Sequence, residues 1–198
     1  STINKRGDAD GRIPSYQFQI RPRDRTSNEI IDIDVSKKGG HVVWMINTRD
    51  IGRKETSVAE ALEKGAQFLK ERGYDSMVPT YGGQQGYVYK TKDVIVYPDL
   101  VKLEIAQDNG QVVGFDAQGY LSFHRERNLR QPELTKEEAV RAVSTRLKVE
   151  DVRLALIPLE TSEEILTYEV KGEYGGDKFF VYINAYTGDE EIILHVVN

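Results

Sequence analysis

Two segments of the chain place their apolar residues at the spacing of one helical face. In the segment TSVAEALEKGAQFLKERGY, apolar positions recur every three or four residues, at Val58, Ala61, Leu62, Gly65 and Leu69. Ser57 followed three residues later by Glu60 is the signature of a capping box, and Gly73 provides a stop signal. We therefore predict a helix that begins after Ser57 and ends before Gly73.

The second segment, LTKEEAVRAVSTRLKVED, carries the same pattern. Thr135 and Glu138 form its predicted capping box, and the apolar face comprises Ala139, Val140, Val143 and Leu147. Thr135 lies 78 positions after Ser57, and in both segments an alanine follows the capping glutamate directly. Because cap and apolar phase coincide, the pattern indicates an internal repeat.

Strand patterns follow each predicted helix. After the first, Val101, Leu103 and Ile105 alternate with polar residues, and Asn109-Gly110 is a two-residue hairpin signal that leads into a strand at 112–115. The phrase GFDAQGYLSF then predicts a turn and a further strand at 120–123, which completes an antiparallel meander. After the second helix, Gly175-Gly176 and the stretch 184–188 predict the two turns of an equivalent meander.

The phrases GFDAQGYLSF and VYINAYTGDEEIIL are interpreted as equivalent ends of two repeats. Asp116 and Asn184 would bond backbone groups at the start of the turn, and Gly119 and Gly188 would take positive φ angles. A third meander lies upstream, where apolar residues alternate through IIDIDV, with no helix before it in this chain. Its sheet would need cover from a neighbouring repeat or from a second subunit of a homo-oligomer. The predicted fold class is α+β, with antiparallel meanders each covered by one helix.

A tyrosine- and glycine-rich stretch lies between the first helix and its meander. Its tyrosines are Tyr81, Tyr87, Tyr89 and Tyr97. One interpretation is two further strands joined by a glycine-rich turn, with half-buried tyrosines. The other is a partner-binding surface, since tyrosine offers a large contact area at low entropic cost.

Composition excludes several classes of function. The 198 residues carry a net charge of −5, which disfavours nucleic-acid binding, and the absence of cysteine excludes disulfides and thiolate catalysis. No apolar run approaches the roughly 20 residues that span a bilayer. The histidines, His41, His124 and His195, lie in separate repeats and outside any metal-binding motif. We therefore expect no metal and no cofactor.

Catalytic signatures are also missing from the sequence. The chain has no nucleophile elbow, no P-loop and no dinucleotide fingerprint. Asp32 and Asp34 alternate with apolar residues, which is typical of the solvated side of a strand, and Trp44 is interpreted as core packing rather than a ligand platform. We therefore expect a protein that is not an enzyme.

The capped helices and closing phrases resemble the PepSY domain. The residues that carry the resemblance are Thr135, Glu138, Ala139, Asn184, Ala185 and Gly188, and SVAEALEKGAQFLKERGY with VVGFDAQGYLSF resembles a second copy. IIDIDVSKKGGHVVWMI resembles the closing half of another. The resemblance implies a linker or chain end at 1–15, half a repeat at 16–50, a second repeat with the tyrosine-rich insert at 51–127, and a third at 128–198.

The order of these copies resembles the C-terminal region of a family of spore germination proteins. That resemblance implies a non-enzymatic module that stabilises or inhibits a cortex-lytic peptidoglycan hydrolase (SleB-like) until germination. It also implies a place on the extracytoplasmic side of the spore inner membrane or in the cortex, with membrane attachment only through a segment outside this chain. Two alternatives stay open: a module that binds peptidoglycan, and a propeptide-like protease inhibitor.

Overall fold

The computed structural model describes residues 2–4, 13–22, 29–80, 85–159 and 163–196. The chain forms two compact units, one of residues 1–88 and 99–124 and the other of residues 89–98 and 125–198. Among the described residues, strands are more numerous than helices, of which there are three. The structure confirms the predicted α+β class with a mostly antiparallel sheet.

The first compact unit carries an antiparallel sheet covered by one long helix. Its elements are β1 Thr2–Asn4, β2 Ser15–Ile20, β3 Ile31–Ser36, β4 Val42–Asn47, α1 Val58–Lys70, β5 Met77–Pro79, the start of β6 Gln85–Thr91, the end of β7 Val94–Ile105, β8 Val112–Asp116 and α2 Gln118–Phe123. The strand order is β1-β2-β3-β4-β8-β7, with β6 pairing both β5 and β7.

The second compact unit has a smaller helix on a sheet of longer strands. It contains the end of β6, the start of β7, α3 Lys136–Ala142, β9 Lys148–Pro158, β10 Glu164–Tyr174, β11 Asp177–Asn184 and β12 Glu190–Val196. The order is β7-β9-β10-β11-β12, and every pairing is antiparallel except that of β7 with β9. Val94, Val96, Leu156, Val170 and Ile183 form part of its core.

Helix α1 follows its sequence prediction closely. Both hydrogen bonds of the Ser57–Glu60 capping box are present, and Gly73 ends the segment with a φ of +81°. Ala61, Gly65 and Leu69 are buried on the predicted face. Val58 is an exception, because its side chain is 55% exposed in the first turn.

Helix α3 is shorter than predicted. The Thr135–Glu138 capping box is confirmed, but the helix ends at Ala142 and Val143 takes an extended ψ of 161°. Val143 is β-branched and a serine and a threonine follow it, so local helix propensity is weak at that point. Val143 is nevertheless buried. Leu147 was expected on the helical face, and this prediction is wrong, because Leu147 lies in the loop directly before β9.

The phrase GFDAQGYLSF does not end a meander. Residues 118–123 form α2, so the predicted strand at 120–123 is wrong, and Gly119 lies inside a helix rather than at a positive φ. The physical reason is that β8 already has two sheet neighbours, since β7 lies on one side and β4 on the other. A third strand of the same repeat therefore has no place beside it.

The true counterpart of the turn 184–188 is the turn 106–110, which lies 78 positions earlier. In the later turn the N–H of Asn184 donates to the carbonyl of Asp189, and the N–H of Gly188 to that of Asn184. Ala106 and Gly110 make the same two bonds, the former to Gln111, and Gly110 and Gly188 have φ angles of +75° and +82°. The expected two-residue turn at Asn109-Gly110 is thus a longer one.

The hairpin of β3 and β4 shares the first of these two bonds and a glycine at positive φ. The N–H of Ser36 donates to the carbonyl of His41, and Gly40 has a φ of +68°. The two strands that flank each of the three turns pair with a register shift, at Asp34/Val35, Glu104/Ile105 and Tyr182/Ile183. The repeat at the start of the chain thus ends in a hairpin similar to those of the two later repeats. Helix α1 covers this hairpin, because Met45 of β4 packs into the core beneath α1.

Candidate functional site

A groove crosses β4, β8 and β7 on the sheet face opposite α1. Met45 points into the core beneath α1, so its neighbours Trp44 and Ile46 lie on the other face. Both are half-buried and line the groove, which has a volume of about 410 Å³. We call it the Trp44 groove. The expectation that Trp44 packs in a core is therefore wrong.

Two carboxylates flank the indole along one row of the sheet. Asp34 of β3 and Asp116 of β8 are the register partners of Trp44 on its two sides, and Lys102 of β7 is the next residue beyond Asp116. Side chains directly opposite each other in a sheet lie about 5 Å apart. Asp116 uses one oxygen to accept a 2.9 Å hydrogen bond from the N–H of Gln118, at the start of α2.

The neighbouring row has a gap in its middle. It runs from Asp32 through Ile46 and Gly114 to Glu104. A Cβ at Gly114 would lie 2.7 Å from the Cβ of Glu104, which is closer than van der Waals contact. Because glycine has no side chain, the groove stays open at this position. Asp32 accepts a 2.9 Å hydrogen bond from Gln19, whereas Glu104 has no such bond or ion pair among the described residues.

The second compact unit offers a different kind of surface. Because α3 ends at Ala142, the far end of its sheet face has no helix over it. A groove of about 290 Å³ lies there, lined mainly by Leu147, Tyr174, Phe179, Val181 and Ile193. Tyr174 and Ile193 are 49% and 52% exposed. We call it the third-repeat groove.

The third-repeat groove adjoins the outer strand of its sheet. In the part of the chain that the structure describes, β12 pairs only with β11, so its other edge presents unpaired backbone groups. Ile193 and Leu194 expose aliphatic side chains on opposite faces of this strand. Sheet edges of soluble proteins are usually protected by lysine, proline or a covering segment, and such an apolar edge favours pairing with another strand.

The tyrosines of the insert do not form one exposed surface. Tyr81 lies outside the described residues. Tyr87 is fully buried, and its hydroxyl donates a 2.8 Å hydrogen bond to the carbonyl of Leu62 on α1, so its ring offers no area to a partner. Tyr89 is half-buried against the core of the second compact unit. For Tyr89 and Tyr97, partner binding stays a prediction.

Tyr97 belongs to a buried polar network. Its hydroxyl and that of Tyr182 donate to one oxygen of Glu169, which is 1% exposed, and Nε of Arg153 donates to the other over 2.6 Å. Burial raises the pKa of Tyr97 to about 12, and the Glu169 carboxylate adds to the rise. Burial likewise raises the pKa of Tyr182. The arrangement satisfies the carboxylate on both oxygens, which is typical of a structural network.

The remaining predicted turn and cap residues act through backbone bonds. Oδ1 of Asn184 accepts from the N–H groups of Tyr186 and Thr187. At the caps, hydrogen bonds from the backbone and hydroxyl of Ser57 lower the pKa of Glu60, and Thr135 does the same for Glu138. These residues shape the local chain.

The histidines make separate local contacts. Nδ1 of His124 lies 2.6 Å from Oδ2 of Asp99, which is fully buried, and Nε2 of His195 lies 3.6 Å from Oδ1 of Asp177. Among the described residues no three histidine or acidic side chains converge as metal ligands would. Within the same residues, no helix has the length and apolar composition needed to cross a bilayer.

Comparison with known families gives matches over most of the chain. The family described as "YpeB sporulation, PepSY1 and PepSY2 domains" matches residues 2–130. The PepSY family, described as "Peptidase propeptide and YPEB domain", matches residues 133–191.

Similar proteins bear one name. The sporulation protein YpeB of Halalkalibacterium halodurans is 36% identical over 165 residues, covering 80% of this chain and 37% of that protein. YpeB of Bacillus subtilis is 33% identical over 189 residues, covering 91% and 42%. The chain thus spans about two fifths of the length of these relatives. The solved Bacillus megaterium YpeB C-terminal domain matches with a TM-score of 0.86 and 32% identity, over 100% of this chain and 89% of that one.

Proposed function

Because this chain belongs to the YpeB family of PepSY-containing sporulation proteins, we propose that it is a non-catalytic binding module for a cortex-lytic peptidoglycan hydrolase of the SleB type. The module holds the hydrolase stable and inactive in the dormant spore until germination. It acts on the extracytoplasmic side of the spore inner membrane or in the cortex, where the hydrolase and its substrate are.

The unpaired edge of β12 carries this proposal. An extended segment of the hydrolase adds to β12 as a further strand, so that its backbone bonds the open edge along Glu190–Val196. Main-chain pairing provides affinity, and alternate side chains of the added strand enter the third-repeat groove next to Ile193. A hydrolase segment held in this way is withdrawn from the glycan substrate, which explains restraint without chemistry by the module.

The test compares two lysine substitutions on the edge with one elsewhere. Ile193→Lys with Leu194→Lys places charge on both faces of β12, at positions that are 52% and 48% exposed, so the fold is retained. Val58→Lys is the matched control, because Val58 is an aliphatic residue of similar exposure on α1.

Binding to the purified hydrolase is measured by calorimetry, and restraint by the rate of digestion of cortex sacculi. We expect the unmodified chain and Val58→Lys to bind and to slow digestion, and the edge variant to lose at least about tenfold in affinity, or about 1.4 kcal/mol. Absence of binding by the unmodified chain, or equal binding by the edge variant, contradicts the proposal. Sedimentation of the chain with sacculi in the absence of hydrolase, together with unchanged digestion, would show a cell-wall-binding module instead.

A further inference from the structure

We propose that the Trp44 groove binds a basic peptide segment, with an arginine or lysine side chain of that segment lying on the indole between Asp34 and Asp116. This inference concerns the first compact unit and does not depend on the β12 edge. The shape of the groove, the position of the indole and the balance of charge around it all favour such a ligand.

The groove has the size of a ligand site. Its volume of about 410 Å³ falls within the roughly 300–1,000 Å³ of typical pockets, and charged and polar side chains surround an apolar floor. Trp44 and Ile46 form that floor, and Gly114 leaves it open in the middle. A side chain with a long aliphatic stem, as in arginine or lysine, can cover the floor and carry its charge to the rim.

The indole is placed for a cation. Among aromatic side chains, tryptophan attracts a guanidinium or ammonium group most strongly through its π face. Here the register puts a carboxylate on each side of Trp44, from Asp34 on β3 and from Asp116 on β8. A cation on the ring therefore meets two acceptors in the same row. Among the described residues Asp34 has no hydrogen bond or ion pair of its own that would compete.

The negative charge of the two rows favours a positively charged ligand. Asp32, Asp34, Glu104 and Asp116 provide four carboxylates against the single ammonium of Lys102. These residues of the two rows thus have a net charge of −3, in a chain of net charge −5, and Arg21, which donates to Gln19 beside Asp32, lies at their outer end. An acidic peptide is repelled, and the hydroxyls of an uncharged glycan donate hydrogen bonds to the carboxylates without neutralising their charge, whereas a basic segment gains attraction both on approach and when bound.

The chain provides its own reporter for this site, because Trp44 is its only tryptophan. The probes are the peptide Gly-Arg-Gly-Arg-Gly-Arg-Gly and the same peptide with glutamine in place of every arginine. We expect the arginine peptide to change the Trp44 fluorescence saturably and the glutamine peptide to leave it unchanged. Raising the salt to about 0.5 M should weaken the binding, since it shortens the screening distance well below its value of about 10 Å at 0.1 M.

Charge variants with opposite expected effects show whether a loss of peptide binding comes from misfolding. Asp34→Asn with Asp116→Asn keeps the size of both side chains and should weaken arginine-peptide binding by about tenfold or more. Asp50→Asn with Asp75→Asn is the matched control, because it removes two exposed carboxylates of the same compact unit outside the groove. Lys102→Gln should strengthen binding about two- to threefold, a gain that a damaged fold cannot produce.

Three results would overturn the inference. One is no saturable fluorescence change with the arginine peptide. Another is a change that the groove variant and the control variant share equally. The last is a saturable response to an uncharged cell-wall oligosaccharide that persists at about 0.5 M salt, which would identify the groove as a glycan site.

Discussion

Replacement of Gly65 by alanine tests how the first compact unit is packed. Gly65 lies on the buried face of α1, directly above the ring of Tyr87 on β6. An alanine Cβ at this position would lie 2.1 Å from Oη of Tyr87 and 2.9 Å from Cδ1 of Ile105. Both distances are well below van der Waals contact, so the tyrosine would have to move.

The expected magnitude combines opposing effects. Alanine in a helix interior is favoured over glycine by about 1 kcal/mol. Against this, overpacking a core costs about 1–3 kcal/mol. Displacing Tyr87 also breaks the bond from its hydroxyl to the carbonyl of Leu62, which contributes about 1 kcal/mol more. We therefore predict that Gly65→Ala lowers the free energy of unfolding by about 1–3 kcal/mol.

Urea denaturation followed by circular dichroism measures this free energy. The control is the same substitution in a Tyr87→Phe background, where the nearest atom to the new Cβ is absent and the hydrogen bond is already lost. We expect Gly65→Ala to be less destabilising in that background, with a coupling energy of about 1 kcal/mol. An increase in stability on Gly65→Ala in the natural background would refute the packing described for α1 and Tyr87.

Other perturbations separate local conformation, ionisation and capping. Gly188→Ala should lower the free energy of unfolding by about 1–2 kcal/mol, measured by thermal denaturation, since Gly188 has a φ of +82°. Gly119→Ala, within α2, should carry no such penalty. Tyr97 has its pKa raised from about 10 in the unfolded chain to about 12 in the fold. Its contribution to stability is therefore complete below pH 10 and lost as the pH rises towards 12, and urea titrations should show that Tyr97→Phe reduces this alkaline loss. Ser57→Ala should cost about 1 kcal/mol of unfolding free energy in the same assay, because one N-terminal amide of α1 loses its acceptor; an unchanged value would contradict the capping role.

Signals that act over a few residues predicted the local structure well. The two capping boxes involve only residues three positions apart, and both helices begin where their serine or threonine places them. Gly188 takes the positive φ that its turn requires. These features depend on the backbone near each residue, so a single sequence contains the information.

Features that depend on strand neighbours were not predictable in the same way. The strand expected at 120–123 is a helix because β4, distant in sequence, occupies the place beside β8. Trp44 shares its strand with core residues, and only the register of β3, β4 and β8 shows that it faces a groove between Asp34 and Asp116. Alternation in one strand marks two faces but does not say which of them a helix covers.

Hydrogen exchange of the chain with and without the cortex-lytic hydrolase tests whether the hydrolase binds at the edge of β12. Free backbone N–H groups of β12 exchange readily at an open edge and become protected when a further strand pairs with them. We expect slower exchange across Glu190–Val196 in the complex, with little change in β10, which already has two sheet neighbours. A complex in which exchange of β12 is unchanged, while other segments become protected, would contradict binding through this edge.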